Sequence, residues 1–430
     1  MNLDNLNTWH FGIDNDKLVD LVLKGEKRAT TAIYDENDLS CVGDTDILIF
    51  DNEKKACITR VTNVIVTEFK NITSDLAKLE GEGDKTLEYY RKVHFDYFKS
   101  IDSNFSDDTL VEFVEFEVVE NLLETRLKMA KKIVDANNEL FVNYESIKEV
   151  NAGFNNDIFN VDNKYIIKVC ANKNKEEEFE KERDFYNNNC NTSYIPKLFM
   201  YDDSKNIVPF VYEVIEYIDG KSLYYYWYKM NEDERERTVK EIVDILKDIH
   251  KEVDSEYDWC SYIKGRVNNY LEEVRYKFSE EEYEIIYESF KEYDKYLDRD
   301  NYFAFIHNDL HFDNIIKSRD RLYLIDFNDA FVAPIDYDLR IFDMCVDMPW
   351  KWANIEMDPL QKPEDYQNLF NYLLKYYEKL NTITYLNERL TIYRVLNDLD
   401  SLRNYNNQDL KNNVILNSKK LLKTDSLIME

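Results

Sequence analysis

The sequence predicts an α+β fold in two or three domains, and three observations carry that expectation. Residues 110–119, Leu-Val-Glu-Phe-Val-Glu-Phe-Glu-Val-Val, alternate like a half-buried strand, then give way over 122–134 to apolar residues at helical spacing. Residues 146–170 hold three short apolar runs, with Asp162-Asn163 as turn chemistry, and read as a β-meander. Helical periodicity then dominates over 237–253 and 364–422. A chain of 430 residues has room for this many domains. The expected divisions are 1–120, 121–218 and 219–430.

The elements follow in order. Asp16 to Leu23 is a short amphipathic helix, and Ile47 to Phe50 is a strand preceded by Val42-Gly43-Asp44. The meander comprises Ile147 to Val150, Asp157 to Val161 and Tyr165 to Cys170, with Gly153 in its first turn. Lys175 to Tyr186 is helical in composition, and Asn187 to Asn191 ends it. Phe210 to Ile218 is a buried strand closed by Asp219-Gly220. Arg237 to Val253 places Val239, Ile242, Val243, Leu246 and Ile249 on one helical face. Tyr302 to Ile306 and Arg321 to Ile325 are two further strands whose ends present polar groups.

Between and after those last strands lies the densest chemistry of the chain. His307-Asn308-Asp309-Leu310-His311-Phe312-Asp313-Asn314 is followed, twelve residues past Asn314, by Asp326. Phosphoryl transfer needs a carboxylate to receive the proton of an attacking hydroxyl, and oxygen ligands to hold Mg²⁺ across the nucleotide phosphates. Asp309 fits the base, and Asn314 and Asp326 fit the metal ligands. Lys168 sits in Tyr-Ile-Ile-Lys-Val, on an otherwise apolar strand where an unpaired ammonium is costly, so it requires an anion. The next helix offers Glu182, with Glu178 and Glu180 as competing partners.

Residues 121–430 resemble the aminoglycoside phosphotransferase and choline kinase group, relatives of the protein kinases. The resemblance implies a bilobal protein-kinase-like fold, with a β-rich N-lobe and a helical C-lobe, and a dependence on ATP (GTP being the alternative) and Mg²⁺. It places Lys168 on the phosphates with Glu182 as its ion-pair partner, the Gly153 turn over the phosphates, and adenine against backbone near Glu216 to Ile218. It makes His307 a brace of the catalytic loop, Asp338 a tie on that loop and Asp336 a group facing a cationic substrate; His250 is read as structural. Two departures stand out: Asn308 replaces a glycine of the family pattern, and Asp326 is followed by Phe327-Asn328 instead of Phe-Gly.

Residues 8–120 resemble the ASCH family, small β-barrels related to the PUA fold. The resemblance rests on Gly25-Glu-Lys-Arg-Ala-Thr-Thr31, Val42-Gly43-Asp44, Glu80-Gly-Glu-Gly-Asp84 and Tyr89-Tyr90-Arg91. It implies a link to RNA, or hydrolysis of acylated nucleosides by Lys27, Thr30 and Glu80. Alternatively, Lys27 and Arg28 hold a phosphate or nucleotide, or the domain is an inert or regulatory module.

Composition narrows the partners. The net charge of -31, from 55 basic and 86 acidic residues, disfavours a nucleic-acid backbone and favours a small cationic acceptor, although a solvated acidic surface explains the same number. Six scattered cysteines with no Cys-x-x-Cys pair fit neither a zinc site nor a disulfide framework. No apolar run approaches the length of a membrane span, and the expected location is the cytoplasm. The expected activity is phosphoryl transfer from ATP to a hydroxyl of an aminoglycoside, another amino sugar or an amino alcohol. The alternatives are a kinase of another metabolite or of a protein, and a regulatory RNA-associated nucleotide-binding module.

Overall fold

Residues 6–150, 156–319, 321–354 and 356–423 are described by the computed structural model. They fall into two units, one of residues 1–162 with 204–209 and one of residues 163–203 with 210–430.

In the first unit the elements run β1 (Thr8–Trp9), α1 (Asn15–Leu23), β2 (Ala29–Ile33), β3 (Thr45–Ile49), β4 (Lys55–Glu68), α2 (Ser74–Glu80), α3 (Leu87–Ile101), β5 (Leu110–Asn121), α4 (Leu122–Ala136), β6 (Ile147–Val150) and β7 (Asn156–Val161). The main sheet has the order β1-β3-β4-β5-β2, antiparallel except for β1 beside β3. Two register shifts between the long strands β4 and β5 bend it, as bulges do. Phe69, Phe98 and Phe113 belong to one apolar cluster and Val19, Leu48 and Phe116 to another. Alternation explains that split, because Phe113 and Phe116 on β5 point to opposite faces.

The unit runs past residue 120 because α4 is tied at both ends of its reach. Arg126 donates to the Lys55 carbonyl on β4 (2.7 Å) and to Glu149 on β6 (2.7 Å), and Lys54 also pairs with Glu149. β6 and β7 form an antiparallel hairpin. Its connecting turn, including Gly153, lies outside the described residues.

In the second unit β8 (Tyr165–Cys170) leads to α5 (Glu176–Asn188), β9 (Leu198–Asp202) and β10 (Tyr212–Glu216). β10 lies antiparallel between β8 and β9, and sets Glu213 opposite Lys168. The chain continues through β11 (Lys221–Ser222), α6 (Tyr224–Trp227), α7 (Glu232–Ile249), α8 (Trp259–Val274), α9 (Glu280–Lys291) and α10 (Tyr293–Leu297). Helix α7 starts at a capping box formed by Asn231 and Glu234, which satisfies two backbone amides reciprocally. Next come β12 (Phe303–Ile306), β13 (Ile315–Ser318), β14 (Arg321–Leu324) and β15 (Phe331–Pro334). The helices α11 (Ile335–Asp338), α12 (Arg340–Cys345), α13 (Leu369–Tyr376), α14 (Leu386–Asn404) and α15 (Gln408–Lys423) complete the unit.

β12 pairs with β15, and β13 with β14, so two short antiparallel ladders bracket residues 307–314. Helix α14 packs on α8 and α15, and its Leu390, Ile392, Val395 and Leu399 are buried in the main apolar cluster. Among the described residues all six cysteines are free thiols, and no helix is long and apolar enough to cross a membrane.

Candidate active site

The loop after β12 is built to hold Asp309. At Asn308 the backbone enters the left-handed region (φ 68°), the conformation a glycine would provide, and asparagine is among the few other residues that adopt it readily. The departure from the family pattern is therefore conformationally neutral. Asp338, fully buried in α11, accepts from the amides of Asn308 (2.7 Å) and His307 (3.2 Å). Burial opposes its charge, but the hydrogen bond and charge of His250 (2.8 Å) hold its carboxyl below the usual range. His250 is itself buried against the Tyr377 hydroxyl, a structural histidine. Arg340 donates to the Asn308 carbonyl (2.7 Å).

His307 is buried and joins the two halves of the site. Its Nε2 donates to the Ile325 carbonyl (2.9 Å) while its Nδ1 accepts from the Asp309 amide (3.2 Å), which fixes the tautomer. Ile325, next to Asp326, and Asp309 are thus both tied to the His307 ring. Asn314 donates from Nδ2 to the Asp309 carbonyl (2.8 Å) and to its carboxylate (3.1 Å), leaving Oδ1 for another partner. Desolvation works against the Asp309 charge, yet the His311 hydrogen bond and the electrostatic influence of His311, His307 and Arg340 bring its pKa to about 2. His311, whose Nε2 lies 3.2 Å from the Asp309 carboxylate, was not singled out in the sequence; only its place within the loop could have pointed to it.

Asp326 follows β14 with φ 66°. Its carboxylate accepts from Lys168 Nζ (2.8 Å) and Asn328 Nδ2 (3.0 Å), and Lys168 also donates to Glu182 (2.7 Å). Glu182, and neither Glu178 nor Glu180, takes the lysine: of the three it alone is buried, whereas Glu180 is exposed and Glu178 is engaged by Lys175. Its second oxygen accepts the Phe327 amide (3.3 Å), and Phe327 stacks on Phe185 at 4.0 Å. Burial alone would depress the Lys168 pKa, but Asp326, Glu182 and Glu213 more than reverse it. Glu213 was missed in the sequence, although its register opposite Lys168 is what strand pairing makes. It is completely buried, and desolvation together with the nearby Glu182 charge pushes its carboxyl well above the ordinary range. Glu216 ends β10 and accepts the Lys197 amide (3.3 Å); Ile218, partly buried, lies two residues beyond that strand.

Asp336 requires a correction. It does not face the cleft: it is 0% exposed, and its carboxylate is held by Arg389 through two guanidinium nitrogens (2.7 and 2.9 Å) and by the Tyr393 hydroxyl (2.9 Å). A two-residue step along a helix carries a side chain to the other side, so Asp336 and Asp338 serve different neighbours.

The ASCH-type motif also closes up differently from expectation. Lys27 is 1% exposed, with its ammonium between Glu80 and Glu82, so its charge is neutralised and is not offered to a phosphate. Thr31, not Thr30, reaches this cluster, donating to Glu80 (2.6 Å) and meeting the Tyr90 hydroxyl (2.8 Å). Strand alternation decides it: on β2, Ala29 and Thr31 face inward and Thr30 faces the other way. Burial opposes the Glu80 charge, and Lys27 and His94 bring its pKa down to about 2. Gly81 (φ 70°) is required here, because a Cβ would lie 2.2 Å from the Glu26 carbonyl.

Thr31→Val removes a donor from a buried carboxylate and should cost about 1.5–3 kcal/mol, whereas Thr30→Val should stay within about 0.5 kcal/mol. Faster amide exchange of β2 and β5 in the first variant only is the expected readout.

Kinases carry their base and metal ligands on a loop between short ladders, and reach them with a lysine from another sheet that a helix glutamate positions. The second unit is built on that plan, the plan of a phosphotransferase. A model described as the Phosphotransferase enzyme family matches residues 146–357, and an ASCH domain model matches residues 7–120; the chain carries a domain of each. Among solved structures it is similar to an ASCH domain from Lactobacillus crispatus JV V101, at 27% identity over 27% of this chain and 80% of that one (TM-score 0.26). It is also similar to APH(2")-IIa in a streptomycin–ATP ternary complex, at 18% identity over 68% of this chain and 95% of that one (TM-score 0.49). ADP-bound APH(2'')-Ib is 19% identical over 69% of this chain and 97% of that one (TM-score 0.47). A search of curated proteins finds no match.

Proposed function

We propose that the protein transfers the γ-phosphoryl group of ATP, with Mg²⁺, to a hydroxyl of a small molecule that carries an amino group. The convergence of Asp309, Asn314 and Asp326 around His307, with Lys168 bridging Asp326 and Glu182, carries this reading. Asp309 receives the hydroxyl proton. With its pKa held near 2 it is ionised throughout the neutral range, and the Asn314 amide keeps its carboxylate oriented.

Asn314 Oδ1 and the Asp326 carboxylate are the oxygen donors that fit Mg²⁺, a hard cation. The Asp326 side chain is 47% exposed, which leaves it accessible to an ion, and Lys168 keeps it charged despite desolvation. The bound metal would neutralise charge on the transferring phosphoryl group. Lys168 holds the nucleotide phosphates, and backbone from Glu216 to Ile218 meets the base. The amino group is favoured by the acidic field of the chain and by Asp329, whose carboxylate is in no ion pair among the described residues.

The test is ADP formation by the full chain over a panel of aminoglycosides, choline-like amines and nucleosides. Acceptor-dependent turnover with amino-bearing members is expected. No turnover with any of them, together with tight RNA binding that weakens in salt, would instead favour a regulatory module.

A further inference from the structure

Asp309 opens into a cavity of about 200 Å³ that also contains Arg266, Asp329, Arg340 and Asp400. Two guanidinium groups beside the base are unexpected in a site meant only for a cation. Their partners decide what they mean.

Arg266, on α8, donates to the hydroxyls of Tyr337 (3.2 Å) and Tyr270 (2.8 Å), and lies against the rings of Tyr262 and Tyr270. Arg340 donates to the carbonyls of Tyr337 (2.9 Å) and Asn308 (2.7 Å). Every one of these partners is a neutral oxygen, and among the described residues neither arginine is in an ion pair. The other arginines of the C-terminal helices differ: Arg389 is paired with Asp336, Arg394 with Asp343 and Asp347, and Arg403 with Glu273 and Asp400. In a chain with 86 acidic residues, two half-buried cations outside any ion pair at the same cavity are conspicuous, even though Arg340 acts on Asp309 through space. Arg340 is fixed by the loop it braces. Arg266 is held in place by tyrosines yet keeps donors to spare, so it is pre-organised to grip a planar or tetrahedral oxyanion in bidentate fashion.

We infer that the acceptor carries an anionic oxygen group, a carboxylate or a phosphate, bound by Arg266 with Arg340 while its hydroxyl meets Asp309. This rests on the phosphotransferase reading and sharpens its acceptor: a small zwitterion, with its amine toward Asp329, in place of a multi-ring polycation. The cavity size agrees, since sites for drug-sized ligands occupy roughly 300–1,000 Å³.

The test compares matched acceptors on the full chain: ethanolamine with serine, galactosamine with galactosaminuronate, and glucosamine with glucosamine 6-phosphate. In at least one pair the acidic member is expected to have a kcat/KM at least about tenfold higher, and Arg266→Gln should collapse that ratio while Arg266→Lys keeps part of it. Preference in the second pair identifies a carboxylate, and in the third a phosphate. Equal or better use of the members that lack the acidic group, or a ratio that Arg266→Gln leaves intact, overturns the inference and spares the kinase reading. No acceptor-dependent ADP from any member overturns both.

Discussion

Asp309→Asn is expected to lower acceptor phosphorylation by about 10²–10⁴-fold, the range that loss of a positioned general base produces, while nucleotide affinity stays within about twofold. The substitution is isosteric, so the hydrogen bonds from Asn314 and His311 lose charge without losing a place to fall. A pH profile sharpens the assignment. The Asp309 carboxyl is held to about 2, so it is deprotonated at every pH where the protein is assayed, and kcat/KM of the native enzyme should show no acid limb from this group between pH 7 and about 5. An acid limb that disappears in Asp309→Asn would contradict that electrostatic picture.

The largest stability effect is expected at Asp336 and Arg389. Both are wholly buried, and the guanidinium also reaches the carbonyl of Arg299 (3.0 Å) and Asn301 Oδ1 (2.8 Å), so this one arginine joins α14 to α11 and to the turn before β12. Removing either partner leaves an uncompensated buried charge. Asp336→Ala or Arg389→Met should each cost about 3–5 kcal/mol, and the double substitution should cost less than the sum. Thermal unfolding of the full chain checks the size. Acceptor kinetics check the meaning: an Asp336→Ala enzyme assayed well below its melting point should keep the native KM for its acceptor. A raised KM with unchanged thermal stability would put Asp336 back in the cleft.

Much of this was legible in the sequence because the catalytic chemistry is local. His307 to Asn314 and Asp326 are brought together by two short ladders that adjoin them in the chain, so spacing alone carried the geometry. The Lys168 strand was readable for a different reason: a charge in an apolar run demands a partner, and the next helix supplied one. What escaped depended on contacts remote in sequence. The claim on Asp336 comes from Arg389, 53 residues away, and nothing near either residue announces it. Glu213 becomes significant only when strand register sets it against Lys168. At Thr30 and Thr31 the family spacing competed with strand alternation, and alternation decided which hydroxyl enters the cluster around Glu80. Arg266 is invisible as a binding group until its neighbours prove to be tyrosines and not acids.

The ASCH-type unit shows the opposite balance. Its lysine, conspicuous beside a glycine turn, is consumed internally by Glu80 and Glu82. A buried charge so fully paired holds the residues around it in place, with Thr31 donating to the same Glu80.

Phosphate labelling gives the most direct test of the phosphotransferase reading. With γ-labelled ATP, Mg²⁺ and an acceptor that stimulates turnover, the label should move into the acceptor with the native chain and stay in ATP with Asp309→Asn. Label appearing only as inorganic phosphate, or reaching the acceptor equally well in both proteins, would contradict transfer through Asp309.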